Sequence, residues 1–295
     1  MGAKTVENKD WNQRIAYLGP EASFTYLATK SLFPSDWLMP YSTIPECIEA
    51  VSEEKVDLAV VPLENTIEGT VPLTIDYLFH EANLFIVADC LSKIQQHLMV
   101  HKKQKDNWQN VEEIYSHPHA LAQCHKYLYY RFSSVPLNPY SSTSAAAKLV
   151  SENPDRCIAA IGNISSAEKY DLEIVQRNIH DFQFNHTRFL VLSKSNMRLP
   201  IEKSEGNAKT TLMVTLPLNV SGALHQVLSV LAWRKLDLSK IESRPLKTGL
   251  GEYFFIMDVH ADENDAMMKG AMEELDALGC NVKSLGTYYT YLTQE

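Results

Sequence analysis

No apolar run in the sequence approaches the roughly 20 residues a membrane span needs, and residues 1–13 are polar where a secretory signal would carry an apolar core. These two absences place the expected location in the cytoplasm, with residues 1–13 as a lead-in outside the fold. Long basic tracts are also missing. With 27 Lys and Arg against 36 Asp and Glu, the net charge is −9. The clustered cations that neutralise a phosphate backbone are lacking, which disfavours a nucleic-acid partner. The five cysteines (Cys47, Cys90, Cys124, Cys157, Cys280) are odd in number, widely spread and without a C-x-x-C pair. That pattern argues against a disulfide framework or a structural zinc site, and the thiols read as small buried hydrophobes. Tandem repeats and low-complexity tracts are absent as well. An acidic chain that handles anions must concentrate its few cations locally, which draws attention to single arginines.

What is present is a chain of 295 residues, 45% hydrophobic and 21% charged, enough for two or three compact units. From residue 14 to 191, short apolar runs alternate with amphipathic stretches. Ile15-Ala16-Tyr17-Leu18, Leu58-Ala59-Val60-Val61-Pro62 and Leu84-Phe85-Ile86-Val87-Ala88 read as strands, and 22–33, 45–52 and 71–79 as helices. A second run follows, with a long helix over 118–132, another over 143–150 capped by Ser142 or Thr143, and a strand at 157–162. The alternation predicts an α/β fold with parallel sheet and helices on its faces, arranged as two lobes around a cleft. The polar, breaker-rich stretch 195–208 reads as a linker between a domain at 14–194 and one at 209–295. In the latter the order becomes βαββαβ, an α+β ferredoxin-like unit ending in a strand over 282–292.

Four segments in the first domain carry polar chemistry. Gly19-Pro20-Glu21-Ala22-Ser23-Phe24-Thr25 joins a strand to a helix; it is either an ordinary turn and cap or an anion site of helix N–H groups. Glu64, Asn65 and Thr66 follow a buried strand and precede Gly69. Ser116-His117-Pro118-His119 opens a helix that carries Gln123, and the two histidines lack the company a metal site needs. Thr187-Arg188-Phe189 comes just before an apolar run. There Arg188 can grip a carboxylate in bidentate fashion, Thr187 can donate one hydrogen bond while accepting another, and Phe189 can wall a pocket. Spacing alone leaves this last segment balanced between a core edge and a site.

Taken in order, the patterns G-P-x-x-S-F, P-L-E-N-T-x-x-G, S-H-P-x-A-x-x-Q-C, S-T-S-A-A-A and D-x-x-x-N-x-T-R-F resemble prephenate dehydratase. The last runs from Asp181 through Asn185 to Phe189. Gly222-Ala223-Leu224 and Lys240-Ile241-Glu242-Ser243-Arg244-Pro245 resemble the ACT regulatory unit of that family. The resemblance covers residues 14–292 and departs at Ala22, where the family often has Gly, and at Ser221, where it usually has Pro.

The resemblance implies a two-lobed, periplasmic-binding-protein-like catalytic domain, cofactor-free conversion of prephenate to phenylpyruvate, and control by L-phenylalanine. It implies catalytic roles for Thr187, Glu64 and Asn65, with Thr187 relaying a proton from Glu64 or water. Substrate contacts are implied for Arg188, Phe189, Ser23, Phe24, Thr66, Ser116, Gln123 and Asn185. The effector would meet Asn219, Gly222, Ala223, Leu224, Glu242, Ser243, Arg244 and Pro245. A homodimer or homotetramer is expected, monofunctional because residues before 14 leave no room for a chorismate mutase domain. Two other readings stay open: arogenate dehydratase on the same scaffold, and a non-catalytic amino-acid-sensing binding protein.

Overall fold

The computed structural model describes residues 12–200, 206–217, 220–249 and 251–293. Expectations placed on residues 1–11, on 201–205 of the linker and on Asn219 lie outside the described residues. Three sheets organise the chain. The first begins with β1 (Ile15–Leu18), α1 (Phe24–Leu32), β2 (Leu38–Tyr41), α2 (Ile44–Ser52), β3 (Leu58–Asn65), β4 (Gly69–Thr70), α3 (Pro72–His80) and β5 (Phe85–Lys93). The second holds β6 (His97–His101), β7 (Glu113–Ser116), α4 (Pro118–Gln123), α5 (His125–Arg131), β8 (Leu137–Pro139), α6 (Thr143–Ser151), β9 (Ile158–Gly162), α7 (Ile164–Lys169) and β10 (Leu172–Gln176). The chain then returns to the first sheet as β11 (His186–Ser193), so two crossings join these sheets. The third unit is β12 (Lys209–Thr215), α8 (Ala223–Trp233), β13 (Leu238–Pro245), β14 (Tyr253–Val259), α9 (Ala266–Ala277) and β15 (Asn281–Tyr288), followed by β16 (Thr290–Leu292).

The first sheet runs β16-β5-β11-β3-β1-β2, with β4 beside β3; the second runs β10-β6-β9-β7-β8; the third runs β13-β14-β12-β15. The fold is thus mixed α/β, and the purely parallel sheet expected from the alternation is corrected. β1 pairs in parallel with β2 and β3, but β11 lies antiparallel between β3 and β5. A strand arriving from the second sheet has no crossover helix to reverse it.

Two more expectations change. The helix over 118–132 is two helices. The Gln123 carbonyl accepts from Asp181 N at 2.7 Å instead of continuing the helix ladder, and the Asp181 carboxylate accepts from Lys126 N at the start of α5. The strand over 282–292 is also two: β15 stays in the third sheet, while β16 pairs in parallel with β5 in the first. Gly286, at φ +102°, sits where β15 passes the first sheet, and a Cβ there would meet the Ile86 carbonyl at 3.2 Å.

The 14–194 and 209–295 segments have cores of their own and also share one. β14 alternates strictly. Phe255 and Met257 face α8 and α9, whereas Phe254 and Ile256 join Met213, Leu285 and Tyr288 in a core shared with α2, α3 and β3. Phe254 stacks on Phe79 of α3 with ring centroids 3.8 Å apart. None of the described helices is long and apolar enough to cross a membrane.

Candidate active site

A cavity of about 1120 Å³ opens between the first and second sheets. Its walls come from the β1–α1 turn, the ends of β3 and β4, the first crossing, the starts of α4 and α6, and β11. Thr187 and Phe189 line it; Arg188 does not. The reason is strand alternation. Thr187 is paired with Asn65 and Arg188 with Glu64, and a bulge then sets Phe189 against Pro62. Thr187, Asn65, Phe189 and Pro62 therefore face the cavity, while Arg188 and Glu64 face the third sheet.

Asn65 fixes the hydroxyl opposite it. Its Nδ2 donates to Thr187 Oγ1 at 2.9 Å and to Asn185 Oδ1 at 2.8 Å. Its Oδ1 accepts from the backbone N–H groups of Ile67 and Glu68. With Oγ1 already accepting, the Thr187 hydrogen is left to donate into the cavity. Asn185 is fully buried behind this pair, and its own Nδ2 has no hydrogen-bond partner.

Among the described lining residues there is no Lys or Arg, which corrects the expectation that Arg188 grips a substrate carboxylate. Helix starts stand in its place. α1 and α6 both begin at the cavity, capped by Ser23 and Ser142, whose oxygens accept from Tyr26 N and Ala145 N. The N–H groups of Phe24 and Thr25 precede the first turn of helix hydrogen bonds and carry partial positive charge towards the cavity. The turn that delivers α1 contains a cis Gly19–Pro20 peptide and a left-handed Ala22 at φ +64°. It is fastened to the second sheet's helices: the Ala22 carbonyl accepts from Asn163 Nδ2 at 2.9 Å and Ser166 Oγ at 3.0 Å, and Glu21 pairs with Lys169.

Several expected contacts are corrected. The Ser23 hydroxyl donates to the Leu18 carbonyl instead of being left for an anion. Thr66 is outside the cavity lining; its hydroxyl donates to the His186 carbonyl and staples β3 to β11. Ser116 is fully buried and donates to the Ile161 carbonyl at 2.6 Å. Glu64 pairs with Lys240 Nζ at 2.5 Å and Arg188 Nη1 at 3.2 Å. Burial favours its neutral acid, but the Lys240 ammonium and Arg188 guanidinium hold the carboxyl below the usual range. It is an ionised tether, with no proton to relay.

Gln123 does line the cavity, and it belongs to a polar chain that sequence reasoning missed. Gln96 Nε2 donates to Gln123 Oε1 at 3.4 Å; Gln123 Nε2 reaches Glu68 Oε1 at 3.5 Å; Glu68 Oε2 lies 3.7 Å from His119 Nδ1. Glu68 belongs to the first sheet's wall and His119 to the second's, so this chain spans the cleft. The signal was weak: Glu68 occupies a free position within the P-L-E-N-T-x-x-G pattern. His117 caps α4 by accepting from His119 N at Nδ1, and burial with His119 beside it lowers the His117 imidazole below its ordinary value.

In the third unit, Gly222 takes φ +87° as the cap of α8, with Ala223 and Leu224 following. Glu242 and Arg244 lie on the opposite sheet face, paired in register with Ile256 and Phe254. Thr70 Oγ1 donates to Glu242 at 2.5 Å, and Arg244 Nη2 donates to Asp76 at 3.1 Å. Both side chains therefore dock the third sheet on the first. Ser243 sits on the helix-side face, and Pro245 ends the edge strand.

The chain matches the prephenate dehydratase family model over residues 15–197. It is 51% identical over 282 residues to prephenate dehydratase of Bacillus subtilis strain 168, covering 94% of this chain and 99% of that one. Among solved structures, prephenate dehydratase from Arthrobacter aurescens in complex with L-Phe aligns with a TM-score of 0.82 at 30% identity, over 94% of this chain and 90% of that one. GqqA, described as a novel type of quorum quenching acylase, also aligns at 0.82 with 27% identity, over 94% and 98% of the two chains. A family model over more than half its length and a relative half identical along nearly all of it decide the matter: the chain belongs to the prephenate dehydratase family.

Proposed function

We propose that this chain converts prephenate to phenylpyruvate, carbon dioxide and water in the cavity between the first two sheets, as a cytoplasmic step towards L-phenylalanine. The observation that carries the reading is the Asn65–Thr187 hydrogen bond, which leaves one hydroxyl hydrogen aimed at bound substrate. As the ring carboxylate leaves as carbon dioxide, its bonding electrons complete the aromatic ring and expel the ring hydroxyl, which takes up one proton. Thr187 stabilises the negative charge developing on that oxygen. A threonine hydroxyl is too weak an acid to be the ultimate proton source. Glu68 and His119, which face each other across the cleft, are ionisable side chains placed to supply it from the cavity wall. The two substrate carboxylates rest on the starts of α1 and α6, and Phe24 and Phe189 exclude water around the ring.

The two sheets around the cleft support a periplasmic-binding-protein-like catalytic domain over 14–194 to which β16 returns. The βαββαβ order supports an ACT regulatory unit over residues 209–288, joined through a linker at 195–208. The A. aurescens complex supports L-phenylalanine as its effector, bound near Gly222, Ala223, Leu224, Ser243 and Pro245 within a homodimer or homotetramer. The acylase that shares the fold is less similar than the B. subtilis enzyme, and fold alone does not carry an activity.

The test is product formation by purified protein given prephenate, arogenate or an N-acyl amide, each with and without L-phenylalanine. Phenylpyruvate from prephenate, altered by L-phenylalanine, is the expected result. Turnover of arogenate alone, or of the acyl amide alone, overturns the substrate.

A further inference from the structure

Thr187 and Arg188 are neighbours in sequence that point into different parts of the molecule. Arg188 is 5% exposed, and its guanidinium is shared between two sheets. Within the first sheet, Nε donates to Asp89 Oδ2 at 2.5 Å and Nη1 to Glu64 Oε1 at 3.2 Å. Towards the third sheet, Nη1 donates to Asp258 Oδ2 at 2.5 Å and Nη2 to Tyr288 Oη at 2.8 Å. Lys240 of β13 holds Glu64, Lys209 of β12 reaches Asp89 Oδ2 at 3.2 Å, and Thr211 donates to Asp258 Oδ1 at 2.6 Å. Glu64, Asp89 and Asp258 thus face Arg188, Lys209 and Lys240, with Glu242 also 3.3 Å from Lys240. Two of the first-sheet positions that meet the third sheet adjoin a cavity residue: Glu64 precedes Asn65, and Arg188 follows Thr187.

We propose that Arg188, with Asp258 and Lys240, is a positioning device through which the third sheet sets the placement of Thr187 and Asn65, and through which effector binding reaches the reaction. A guanidinium fixed by four partners in a planar fork tolerates little displacement, and buried ionic networks strengthen cooperatively where water cannot screen them. Any shift of β14 or β13 against the first sheet must therefore either break this cluster or drag β11 and β3 with it. A strand backbone moved at Arg188 also moves at Thr187. The regulatory half of the inference rests on the L-phenylalanine reading above; the positioning half does not.

Asp258→Asn tests it, because the amide keeps the shape and can still accept from Thr211 while weakening the hold on Arg188. Lys240→Met, at the edge of the cluster, gives the same readings if Asp258→Asn fails to fold; melting and gel filtration establish which variants are native. In the folded variant kcat for prephenate is expected to fall by about tenfold or more, as for a small misplacement of a reacting group, with KM held within about twofold. L-phenylalanine should still bind by calorimetry, yet change the variant's rate at least about fivefold less than the wild type's. A folded variant with wild-type kcat overturns the positioning role, and an undiminished effector response overturns the coupling. If the wild type ignores L-phenylalanine, the effector reading and the coupling fail together, and kcat still decides the positioning role. If the wild type leaves prephenate unchanged, the Thr187 methyl resonance decides instead: it should shift in Asp258→Asn, and an unmoved peak overturns the inference.

Discussion

Asn65 Nδ2 donates to Thr187 Oγ1 from the position directly opposite on the neighbouring antiparallel strand, at 2.9 Å. The pair behaves as one unit, since the amide sets where the hydroxyl points. Thr187→Ala should lower kcat by about a hundredfold or more, the usual cost of losing a charge-stabilising donor. Thr187→Ser should keep much of the rate, and Asn65→Leu should lower it by roughly tenfold through loss of aim. Steady-state phenylpyruvate formation, with circular dichroism to confirm folding, decides; near wild-type turnover by Thr187→Ala would remove the residue from the mechanism.

Arg244 bonds Asp76 of α3 through Nε and Nη2, with Lys247 on the other carboxylate oxygen. Arg244→Ala should destabilise the chain by about 1.5–3 kcal/mol, the range for hydrogen bonds to a charged group. Urea unfolding measures this. Unchanged stability would mean that the docking rests on the apolar core alone.

At Gly286 the backbone is left-handed and the Ile86 carbonyl lies close to any added Cβ. Gly286→Ala should cost about 1–3 kcal/mol through the backbone alone, with a lower melting temperature. Wild-type melting would mean that β15 can shift there freely.

His97 of β6 is 3% exposed and accepts from Asn178 N at 3.0 Å through Nδ1. Burial, then the nearby Arg177 and His180, push its imidazole down to about 4. The unfolded chain, near the ordinary 6.5, binds the extra proton first as pH falls. This group's contribution is therefore complete above about pH 6.5, is lost progressively between about 6.5 and 4, and is constant below. The loss amounts to about 3 kcal/mol. Unfolding free energies of the wild type and His97→Gln across that window should converge at low pH. Parallel curves would acquit His97.

The apolar strand centres were legible, because Leu58 to Val61 and Leu190 to Leu192 can only be core. What was not legible was where those strands stop. Glu64-Asn65 and Thr187-Arg188-Phe189 look like loop because they are polar, and residues in a loop need not alternate. Thr187 and Arg188 were accordingly expected in one pocket. Inside strands they alternate, and Arg188 meets Asp89, Asp258 and Tyr288, partners too distant in sequence for any spacing to announce. One clue was present. Lys240, Glu242 and Arg244 put a charge on every second residue of β13, the mark of a strand with one polar contact face. Ser116 and Thr66 were matched by motif, yet their hydroxyls bond backbone carbonyls and hold the walls in place.

The return of β16 to the edge of β5 sets an order of events during synthesis. Thr293 and Leu91 are hydrogen-bonded although 202 residues separate them in sequence. While the chain is emerging, the outer edge of β5 is unpaired until the third sheet has been made and β16 follows it. An open edge of that kind is a template for a neighbouring chain. A nascent or prematurely terminated product that stops before β16 would carry the first two sheets with an adhesive border on β5.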